Sequence, residues 1–593
     1  MLSDEIAEIF EKMALVLAFK GGDRFRILAY QRAAMSLADL EEDIRTLAKE
    51  GRLHQIPGIG DSLAKLIEEY IRTKRIRQFD DERKGIPDEL IDLMSIPGLG
   101  PKTLATIHKR FHVESIEDLK RALDTGVLLT MPGFREKKAQ NLQRGIELWL
   151  ARKQRMTLGT ALPFAERLLE DVKKIPLVEQ ADLAGSIRRR RDTIGDIDLL
   201  LSSRDCAAAL SKFAGLPQVR QVLALGDTKA TVLIDNGVQV DARAVSPESF
   251  GAALQYFTGS KDHNVHLRTI ARKLGLKVNE YGIFRGSERL GGATEEEIYR
   301  VLKIPVMPPE IREDRGEIEA ALEGKLPSLV ELKDIRGDLH VHSDYSDGRS
   351  TMQELVEAAA GLGYAYLAIA DHSPSATVAR GLDEKRLEQK CREFEKLKET
   401  KSSVRLLLGV EVDILADGAL DYPDRILSGF EVVTASIHGA FRQSRDHMTG
   451  RLLDAIANPH VHMIGHPTAR LIGSRDPIDF DFQRVIRAAA EAGVALEING
   501  SPLRMDLPDT MARLAHEAGV LLVINSDAHS VHQLEYLRYG VFQARRGWVR
   551  PENVINTWSV SKLIGWLKSR RSGEKVQPTR RKSLREKPQI STI

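Results

Sequence analysis

The chain has 593 residues, too many for a single hydrophobic core, so we expect several domains. Its apolar fraction of 42% and charged fraction of 29% are ordinary for a globular protein, and a net charge of +2 does not by itself predict a polyanionic partner. Two distant cysteines, no recognisable signal peptide and no apolar run of membrane-spanning length predict a soluble, cytoplasmic protein without a membrane partner.

Residues 3–150 have helical periodicity and contain a repeated turn between helices. IPGIGDSLAKLIEEYI begins at Ile56, IPGLGPKTLATIHKRF at Ile96, and a degenerate copy, MPGFREKKAQNLQRGI, at Met131. The glycines allow left-handed backbone and leave the first N–H groups of the next helix open to a phosphate. Pro-Gly turns also connect ordinary helical bundles, but the repetition favours phosphate binding. The candidate DNA-binding residues here are Gly58, Gly60, Gly98 and Gly100.

These turns resemble the helix-hairpin-helix motif of DNA repair proteins, which implies that they hold the DNA backbone without reading its sequence. Arg135 replaces the second glycine in the third copy. We therefore expect that copy to depart from hairpin geometry.

Three aspartates in the middle of the chain form a second candidate site. In GDIDLLL, residues 195–201, apolar residues alternate with Asp196 and Asp198, so the two carboxylates share one face of a strand. A hairpin signal at residues 235–237 separates two further strands, and the second would bring Asp241 beside this pair. Clustered carboxylates repel one another unless cations neutralise them, as in two-metal phosphoryl transfer. Alternatively, Asp196 and Asp198 are only the solvated face of an edge strand.

The segments around this trio favour the catalytic interpretation. GSIRRRR, residues 185–191, precedes it, and YFTGSKDHNVHLR, residues 256–268, follows it. With these blocks the chain resembles the nucleotidyltransferase superfamily and, within it, the X-family DNA polymerases. The first family pattern is matched by Gly185, Ser186, Arg189, Gly195, Asp196 and Asp198. For the second block, the resemblance implies that Tyr256, Phe257 and Gly259 line a sugar pocket. It also implies that Asn264 contacts the incoming base and that Arg268 contacts the template strand.

Two positions depart from the polymerase beta branch of that family. Lys261 stands where that branch has an acidic residue that contacts the nucleotide. Alignment of the first hairpin on the Schiff-base lyase motif puts Leu66 at the lysine position, with Lys65 one residue earlier and about 100° around the helix. We therefore expect weak or absent lyase activity from Lys65.

From about residue 336 the chain alternates strands and helices in the pattern of a parallel β/α barrel. The strand segments are GDLHVH, YLAIAD, RLLLGVEV, EVVTASIH, VHMIGH, VALEI and VLLVINSDAH. An isolated His-x-His is most often structural, but here ligand-type residues recur at the C-terminal ends of strands, where barrel active sites form. The nine candidates are His340, His342, Asp347, His372, Glu411, His438, His466, Asp527 and His529.

Imidazole and carboxylate ligands without cysteine suit Mn²⁺, Zn²⁺ or Fe. The set resembles that of the PHP (polymerase and histidinol phosphatase) family, which implies a distorted (β/α)7 barrel with up to three metal ions that hydrolyses phosphoesters. Arg470 and Arg504 are candidate phosphate ligands, with ordinary surface arginines as the alternative.

The order of these regions matches bacterial X-family DNA polymerases with a C-terminal PHP domain. The expected fold is multidomain, with an all-α helix-hairpin-helix region, an α+β nucleotidyltransferase palm and thumb, and the distorted barrel. The expected divisions are an N-terminal helical domain at 1–82, helical fingers at 83–150, the palm at 151–245, the thumb at 246–320, a linker at 321–335, the barrel at 336–569 and a disordered basic tail at 570–593.

The resemblance implies a gap-filling repair polymerase with a 3′→5′ exonuclease in the PHP domain, and as further activities an abasic-site endonuclease and a 3′-phosphatase. It implies Mg²⁺ or Mn²⁺ at the aspartates, and as partners gapped or nicked duplex DNA, primer-template and deoxynucleoside triphosphates. We expect a monomer. The alternatives are a small-molecule PHP phosphatase fused to a non-catalytic DNA-binding module, a template-independent nucleotidyltransferase, and a repair scaffold without catalysis.

Overall fold

The computed structural model describes residues 2–38, 40, 44–94, 96, 99–152, 155–400 and 402–572. The chain divides into two compact units, Met1–Gln154 with Gly473–Arg475, and Arg155–Ile472 with Asp476–Ile593. Among the described residues, no helix is both long enough and apolar enough to cross a membrane.

The first unit contains helices and loops over its described residues, as predicted. Phe10 of the first helix packs edge-on against Tyr30 of the second, with 5.4 Å between ring centroids. Ser115 and Asp118 form a reciprocal capping box at the start of the eighth helix. The helices are α1 Leu2–Phe19, α2 Arg24–Ala38, α3 Ile44–Lys49, α4 Asp61–Thr73, α5 Arg77–Glu82, α6 Asp88–Leu93, α7 Pro101–Phe111, α8 Ile116–Asp124 and α9 Glu136–Arg152.

The palm begins the second unit and is built on a five-stranded sheet of order β2-β4-β7-β6-β5, with a separate β1–β3 pair. Its strands are β1 Met156–Thr157, β2 Gln180–Leu183, β3 Thr193–Ile194, β4 Ile197–Ser202, β5 Val219–Leu225, β6 Lys229–Ile234 and β7 Gln239–Val245. Its helices are α10 Leu158–Lys173, α11 Gly185–Arg188 and α12 Cys206–Ala214. The predicted hairpin at residues 235–237 connects the antiparallel strands β6 and β7.

Strand β4, which carries Asp198, lies inside the sheet between β2 and β7. The interpretation of the aspartates as a solvated edge strand is therefore wrong. Ile197, Leu199 and Leu201 are buried in the palm core. Leu200 is also buried, because it packs on the other face against the helix that begins at Phe250.

The thumb combines helices with a small antiparallel sheet of order β10-β9-β8. Its elements are α13 Phe250–Thr258, α14 Lys261–Lys273, β8 Lys277–Asn279, β9 Gly282–Arg285, β10 Glu288–Gly291, α15 Glu295–Leu302 and α16 Glu317–Leu322. Ile283, Ile298 and Tyr299 are fully buried in its apolar core.

The C-terminal region is a seven-stranded parallel sheet in sequential order, β11 to β17. It is nearly closed, since a parallel bridge joins Val341 to Ala528 and the His342 N–H donates to the Ala528 carbonyl at 2.8 Å. All seven predicted strands are present, so the predicted barrel is confirmed. The strands are β11 Gly337–Val341, β12 Tyr366–Ile369, β13 Arg405–Asp413, β14 Val432–Ser436, β15 Met463–Ile464, β16 Ala495–Asn499 and β17 Leu522–Asn525. The helices are α17 Met352–Gly361, α18 Glu384–Lys398, α19 Asp424–Leu427, α20 Arg445–Ala457, α21 Phe482–Ala492, α22 Asp509–Glu517, α23 Leu537–Arg546 and α24 Val560–Ser572.

Two connecting segments are more ordered than the sequence predicted. In the expected linker at 321–335, Val330 is buried and its N–H donates to the Val549 carbonyl at 3.0 Å. The expected basic tail does not begin at residue 570, because α24 continues to Ser572 and the Arg570 guanidinium donates to the carbonyl oxygen of Val461 at 2.9 Å. The rest of that tail, 573–593, lies outside the described residues.

Candidate active sites

The turns of the first unit share one backbone pattern. The N–H of Ile59 donates to the Ile56 carbonyl, that of Leu99 to Ile96, and that of Phe134 to Met131, at 3.0, 3.0 and 3.1 Å. The third copy therefore keeps the turn, and the expectation that Arg135 disrupts it is wrong. Gly133 supplies the left-handed residue there, with φ +74°, and Arg135 accepts the first helical hydrogen bonds through its backbone carbonyl, which requires no glycine.

The two complete turns leave helix starts without side-chain caps. Gly58 has φ +79°, where an L side chain would be strained. Gly60 and Gly100 cap α4 and α7 with extended backbone, and among the described residues no side-chain cap accepts from the first N–H groups of either helix. A phosphate can approach such groups directly. Gly98 lies outside the described residues.

Lys65 and Leu66 of α4 face different surroundings, as their spacing predicts. Leu66 packs against the core of the first unit. Lys65 lines an open polar depression of about 750 Å³ together with Glu69, Arg72, Arg77, Gln78, Asp81 and Glu82.

In the palm, adjacent parallel strands place Asp198 and Asp241 side by side. Burial, together with repulsion from Asp196 and Asp241, raises the pKa of Asp198 to about 7. Burial alone would raise the pKa of Asp241, but hydrogen bonds from Lys229 and Thr231, at 2.7 and 2.8 Å, lower it instead. The charge of Asp241 is thus neutralised by a lysine, whereas the repulsion within the cluster mainly disfavours ionisation of Asp198.

Gly185 lies against this cluster. Its φ is +58°, and a Cβ there would lie 1.8 Å from Oδ2 of Asp198. Only glycine lets the chain turn this close to the carboxylate.

A pocket of about 450 Å³ opens beside Asp196 and Asp198, between palm and thumb. It gathers the nucleotide-binding candidates except Gly195, and of the three predicted metal-binding aspartates it lacks Asp241. Arg155 and Lys261 add two cations that the sequence did not assign. The pocket is lined by Arg155, Gly185, Ser186, Arg189, Asp196, Asp198, Tyr256, Phe257, Gly259, Lys261, Asn264 and Arg268.

The aromatic block of the pocket is held in place by its own contacts. The rings of Tyr256 and Phe257 meet edge to face with centroids 5.2 Å apart, and the guanidinium of Arg243 lies over Phe257. The side-chain amide of Asn264 accepts from Gln255 and donates to the Tyr256 carbonyl, both at 2.7 Å. These contacts fix the side chains that face the cavity.

The arginines of GSIRRRR do not all face the pocket. Arg189 lines it, as predicted. Arg188 instead makes a bidentate pair with Glu295, at 3.0 and 2.7 Å. The guanidinium of Arg190 lies 4.7 Å from the ring centroid of Phe542, in the barrel region. Arg188 and Arg190 therefore bind elsewhere, in the thumb and the barrel region, and do not line the pocket.

The nine candidate ligands of the barrel all come together. Three overlapping groups have ligand atoms within 4.8 Å of one another: His342, Asp347, His372 and His529; His340, His342 and Asp527; and His372, Glu411 and His438. The ninth, His466, places Nε2 at 2.9 Å from Oε1 of Glu411. No such group among the described residues lies in the palm, where Asp241 turns to Lys229.

Several buried atoms of this cluster lack a hydrogen-bond partner among the described residues. They include Nε2 of His340, Nδ1 of His342 and both carboxylate oxygens of Glu411. Imidazole nitrogens of His340 and His466 lie 3.3 and 2.9 Å from Glu411, but not in hydrogen-bond geometry. Unsatisfied buried nitrogen and oxygen atoms are costly unless something binds them, and this donor set fits divalent cations. His466 and Asp527 also have positive φ, +26° and +55°, a strain typical of functional sites.

The charges within the cluster are strongly coupled. Burial opposes ionisation of Glu411, but the neighbouring His340, His438 and His372 hold its pKa well below its usual range. Burial and the neighbouring His529 and His372 lower the pKa of His342 to about 4, so its ring is neutral and able to bind a metal at neutral pH.

Two buried carboxylates support the ligands and were not predicted. Glu497 accepts from the N–H of His466 at 2.7 Å, and its other oxygen lies 2.7 Å from Nδ1 of His340. Asp413 pairs with Nδ1 of His438. Such partners fix the orientation of a ligating imidazole. The signal was available, since Glu497 is a lone charge inside the apolar strand VALEI.

The two candidate phosphate-binding arginines differ. Arg470 is fully engaged: it donates to the carbonyls of Arg504 and Met505 and pairs with Asp192 at 3.1 Å. Arg504 lies with Nε 3.5 Å from Asp527, and its buried Nη1 has no hydrogen-bond partner among the described residues. Of the two, Arg504 is the one with a donor that no described residue accepts.

Comparison with known proteins agrees with this geometry. Residues 1–76 match the family model of a helix-hairpin-helix domain, 90–147 a SAM-like helix-hairpin-helix tandem, 253–313 the DNA polymerase beta thumb and 338–501 the PHP domain. The C-terminal region is 30% identical over 247 residues to a probable phosphatase of Thermoanaerobacter, covering 40% of this chain and 95% of that protein. A probable phosphatase of Syntrophotalea carbinolica is 28% identical over a segment that covers 37% of this chain and 90% of that phosphatase.

A relative of full length is the DNA polymerase/3′-5′ exonuclease PolX of Bacillus subtilis. It is 36% identical over 572 residues, which cover 96% of this chain and 100% of the relative. The similarity thus spans the helical unit, the palm, the thumb and the barrel in one order. The chain belongs to the PolX family, the bacterial X-family DNA polymerases with a C-terminal PHP domain.

Proposed function

We propose that this protein is a DNA polymerase that fills short gaps during repair and that its barrel is a 3′→5′ exonuclease. The observation that carries the proposal is the pocket between palm and thumb. It combines a glycine turn at Gly185, the carboxylates of Asp196 and Asp198, an aromatic pair and four cationic side chains. Carboxylates beside cations suit a nucleoside triphosphate that arrives with divalent metal ions.

In polymerisation, Asp196, Asp198 and Asp241 would hold two Mg²⁺ or Mn²⁺ ions, which supply charge stabilisation to the attacking and leaving oxygens. Arg189, Lys261 and Arg155 would bind the triphosphate. The Tyr256–Phe257 pair and Gly259 would pack on the sugar, Asn264 would meet the base, and Arg268 the template strand. Gly195 directly precedes Asp196, and a Cβ there would lie 3.2 Å from Nη1 of Arg155.

In hydrolysis, the nine barrel ligands would hold up to three Mn²⁺, Zn²⁺ or Fe ions, which supply a nucleophilic water and neutralise the leaving oxygen. Glu497 and Asp413 orient the rings of His340 and His438. The spare donor of Arg504 would bind a phosphate oxygen of the DNA end. The hairpin turns at Gly58, Gly60, Gly98 and Gly100 would hold the DNA backbone.

Apart from the start of the tail at residue 570, the domain divisions given above remain part of the proposal. They are supported by the helix-hairpin-helix, thumb and PHP matches, whose bounds fall within or close to them. We place the protein's action on gapped or nicked DNA in the cytoplasm, as a monomer. The alternative of a phosphatase fused to an inactive module is disfavoured by similarity over the full length of a polymerase.

Separation of the two centres tests the proposal. Asp198→Asn should abolish primer extension on a single-nucleotide gap and leave exonuclease activity, whereas His342→Ala should do the reverse. The matched controls are Asp227→Asn, an exposed palm aspartate, and His447→Ala, an exposed barrel histidine outside the cluster. Exonuclease activity should depend on Mn²⁺ or Zn²⁺ more than extension does. Loss of hydrolysis in Asp198→Asn with retention in His342→Ala would contradict the assignment of the barrel as nuclease.

A further inference from the structure

The palm and the barrel are continuous within the second unit. Met505 and Tyr539, both from the barrel region, belong to the palm's apolar core. On the palm side, a Cβ at Gly159 would lie 2.2 Å from Cβ of Pro502. Interiors packed this closely transmit displacement rather than absorb it.

A buried arginine at the end of α23 crosses this boundary. Arg546 is 4% exposed. Its Nη1 donates to the backbone carbonyl of Arg189 at 2.7 Å and pairs with Glu313 at 3.1 Å. Its Nη2 donates to Asp509, in α22, at 2.6 Å. The barrel thus anchors Arg546, and Arg546 contacts the pocket arginine directly.

Glu313 of the thumb completes the link. The same oxygen that pairs with Arg546 accepts from Nε of Arg189 at 3.2 Å. Arg189 also donates to the Thr258 carbonyl, beside Gly259 of the pocket. Burial opposes ionisation of Glu313, but Arg546, Arg189 and Arg191 keep its pKa below the usual range, so it is an anion shared between these arginines.

We propose that Arg546 is a positioning residue of the nucleotide pocket, so that the barrel contributes to polymerisation by fixing Arg189 for a triphosphate. This inference rests on the proposed role of Arg189. Without Arg546, Glu313 keeps Arg189 and Arg191 as its ion-pair partners among the described residues and is drawn towards them, and the backbone carbonyl of Arg189 loses its contact. Asp509 keeps a partner in Arg315 at 3.0 Å, so the barrel side is less disturbed.

The same helix provides a matched control. Arg538 of α23 also pairs with the palm, through Glu166 of α10. Neither Arg538 nor Glu166 lines the pocket. Arg538→Met therefore breaks an ion pair between barrel and palm, and Arg546→Met breaks one between barrel and thumb. Only the second change also removes a contact to Arg189.

Steady-state gap filling by the full chain, with saturating DNA and varied deoxynucleoside triphosphate, tests the inference. Arg546→Met should raise the nucleotide KM about tenfold or more, with a smaller change in kcat and unchanged exonuclease activity, because a hydrogen-bonded charge that positions a ligand has been lost. Arg538→Met should leave the KM unchanged. Arg546→Lys keeps the charge but replaces the two donating nitrogens by one, and it should restore part of the nucleotide affinity.

Glu313→Gln keeps the test valid if Arg546→Met does not fold. It should raise the same KM, and the Glu313→Gln/Arg546→Met double variant should be no worse than the more affected single variant, because both act on one contact. An unchanged KM in Glu313→Gln and Arg546→Met, or an equal loss of extension and exonuclease activity in both, would overturn the inference. If Arg189→Ala itself left the KM unchanged, the proposed role of Arg189 would fail first.

Discussion

Gly185 has no room for a side chain, and we predict that Gly185→Ala inactivates polymerisation while the exonuclease survives. A Cβ there would lie 1.8 Å from Oδ2 and 2.7 Å from Cγ of Asp198. The φ of +58° adds strain, because L-residues other than glycine rarely adopt this region.

The size of the effect follows from these distances. Left-handed backbone costs an alanine about 1–2 kcal/mol, which lowers stability but does not stop catalysis. The clash matters more: real Cβ atoms stay at least 3.0 Å from such neighbours, so the carboxylate oxygen must retreat from 1.8 Å by about 1.2 Å. Misplacement of a reacting group by about 1 Å costs about 10²-fold in rate, and we expect kcat to fall by at least that factor.

Gly237→Ala separates the clash from the strain. Gly237 lies in the β6–β7 hairpin of the same palm, with φ +72°, and a Cβ there would meet no atom of the described residues within 4 Å. Single-turnover extension and exonuclease assays on both variants, with thermal melting as a check of folding, measure the difference. Extension by Gly185→Ala within about threefold of Gly237→Ala would refute the reasoning, since the Asp198 contact would then be irrelevant.

Three further perturbations follow from other contacts. Lys229→Met should lower the Mg²⁺ concentration that half-activates extension, because Lys229 competes with a cation for Asp241, 2.7 Å away; an unchanged metal titration would contradict this. Burial disfavours the ionised form of Glu295, but neighbouring arginines outweigh this effect and lower its pKa to about 2. The ionised Glu295 therefore stabilises the folded protein by up to about 3 kcal/mol; this contribution is complete above pH 4.5 and is lost as the pH falls towards 2. The melting temperatures of wild type and Glu295→Gln should therefore converge on acidification from pH 5 to 3, and a constant gap would exclude this cause. Gly58→Val should weaken binding to gapped DNA of any sequence, measured by fluorescence anisotropy. It should also make the affinity less dependent on salt, since each phosphate contact contributes about −0.9 to the slope of log affinity against log salt concentration. Gly51→Val, at a glycine that is also left-handed but lies outside a hairpin, should change neither.

The sequence was sufficient to predict the sites where a regular strand pattern ends in a residue that can bind a metal. The barrel strands are short apolar runs that end in histidine or a carboxylate, and parallel strands bring such ends together whatever the loops do. A two-residue period and a strong turn signal fix the register of β7 on β6. The parallel pairing of β7 with β4 then places Asp241 beside Asp198.

The sequence was insufficient where a side chain has several possible partners far along the chain. Four consecutive arginines look equivalent, yet Arg188 pairs with Glu295 and Arg190 packs on Phe542, 352 residues later. Those partners are set by the packing of thumb and barrel on the palm, which no local pattern encodes. The third hairpin failed as a prediction for the opposite reason: Gly133 alone supplies the left-handed turn, so Arg135 needs no unusual backbone.

The two centres differ in how far the protein prepares them for cations. In the barrel, nine ligands converge, Glu497 and Asp413 orient two of the rings, and buried atoms of Glu411 have no hydrogen-bond partner among the described residues. Because these ligands are already in position before a metal binds, we expect the barrel to retain its ions between turnovers. In the palm, Lys229 neutralises Asp241, and the pKa of Asp198 is raised to about 7, so part of the cluster is protonated at neutral pH without a ligand. A cation entering there must displace both a lysine and a proton. The additional negative charge of a triphosphate favours that exchange, so the palm should assemble its metal site only as the nucleotide binds.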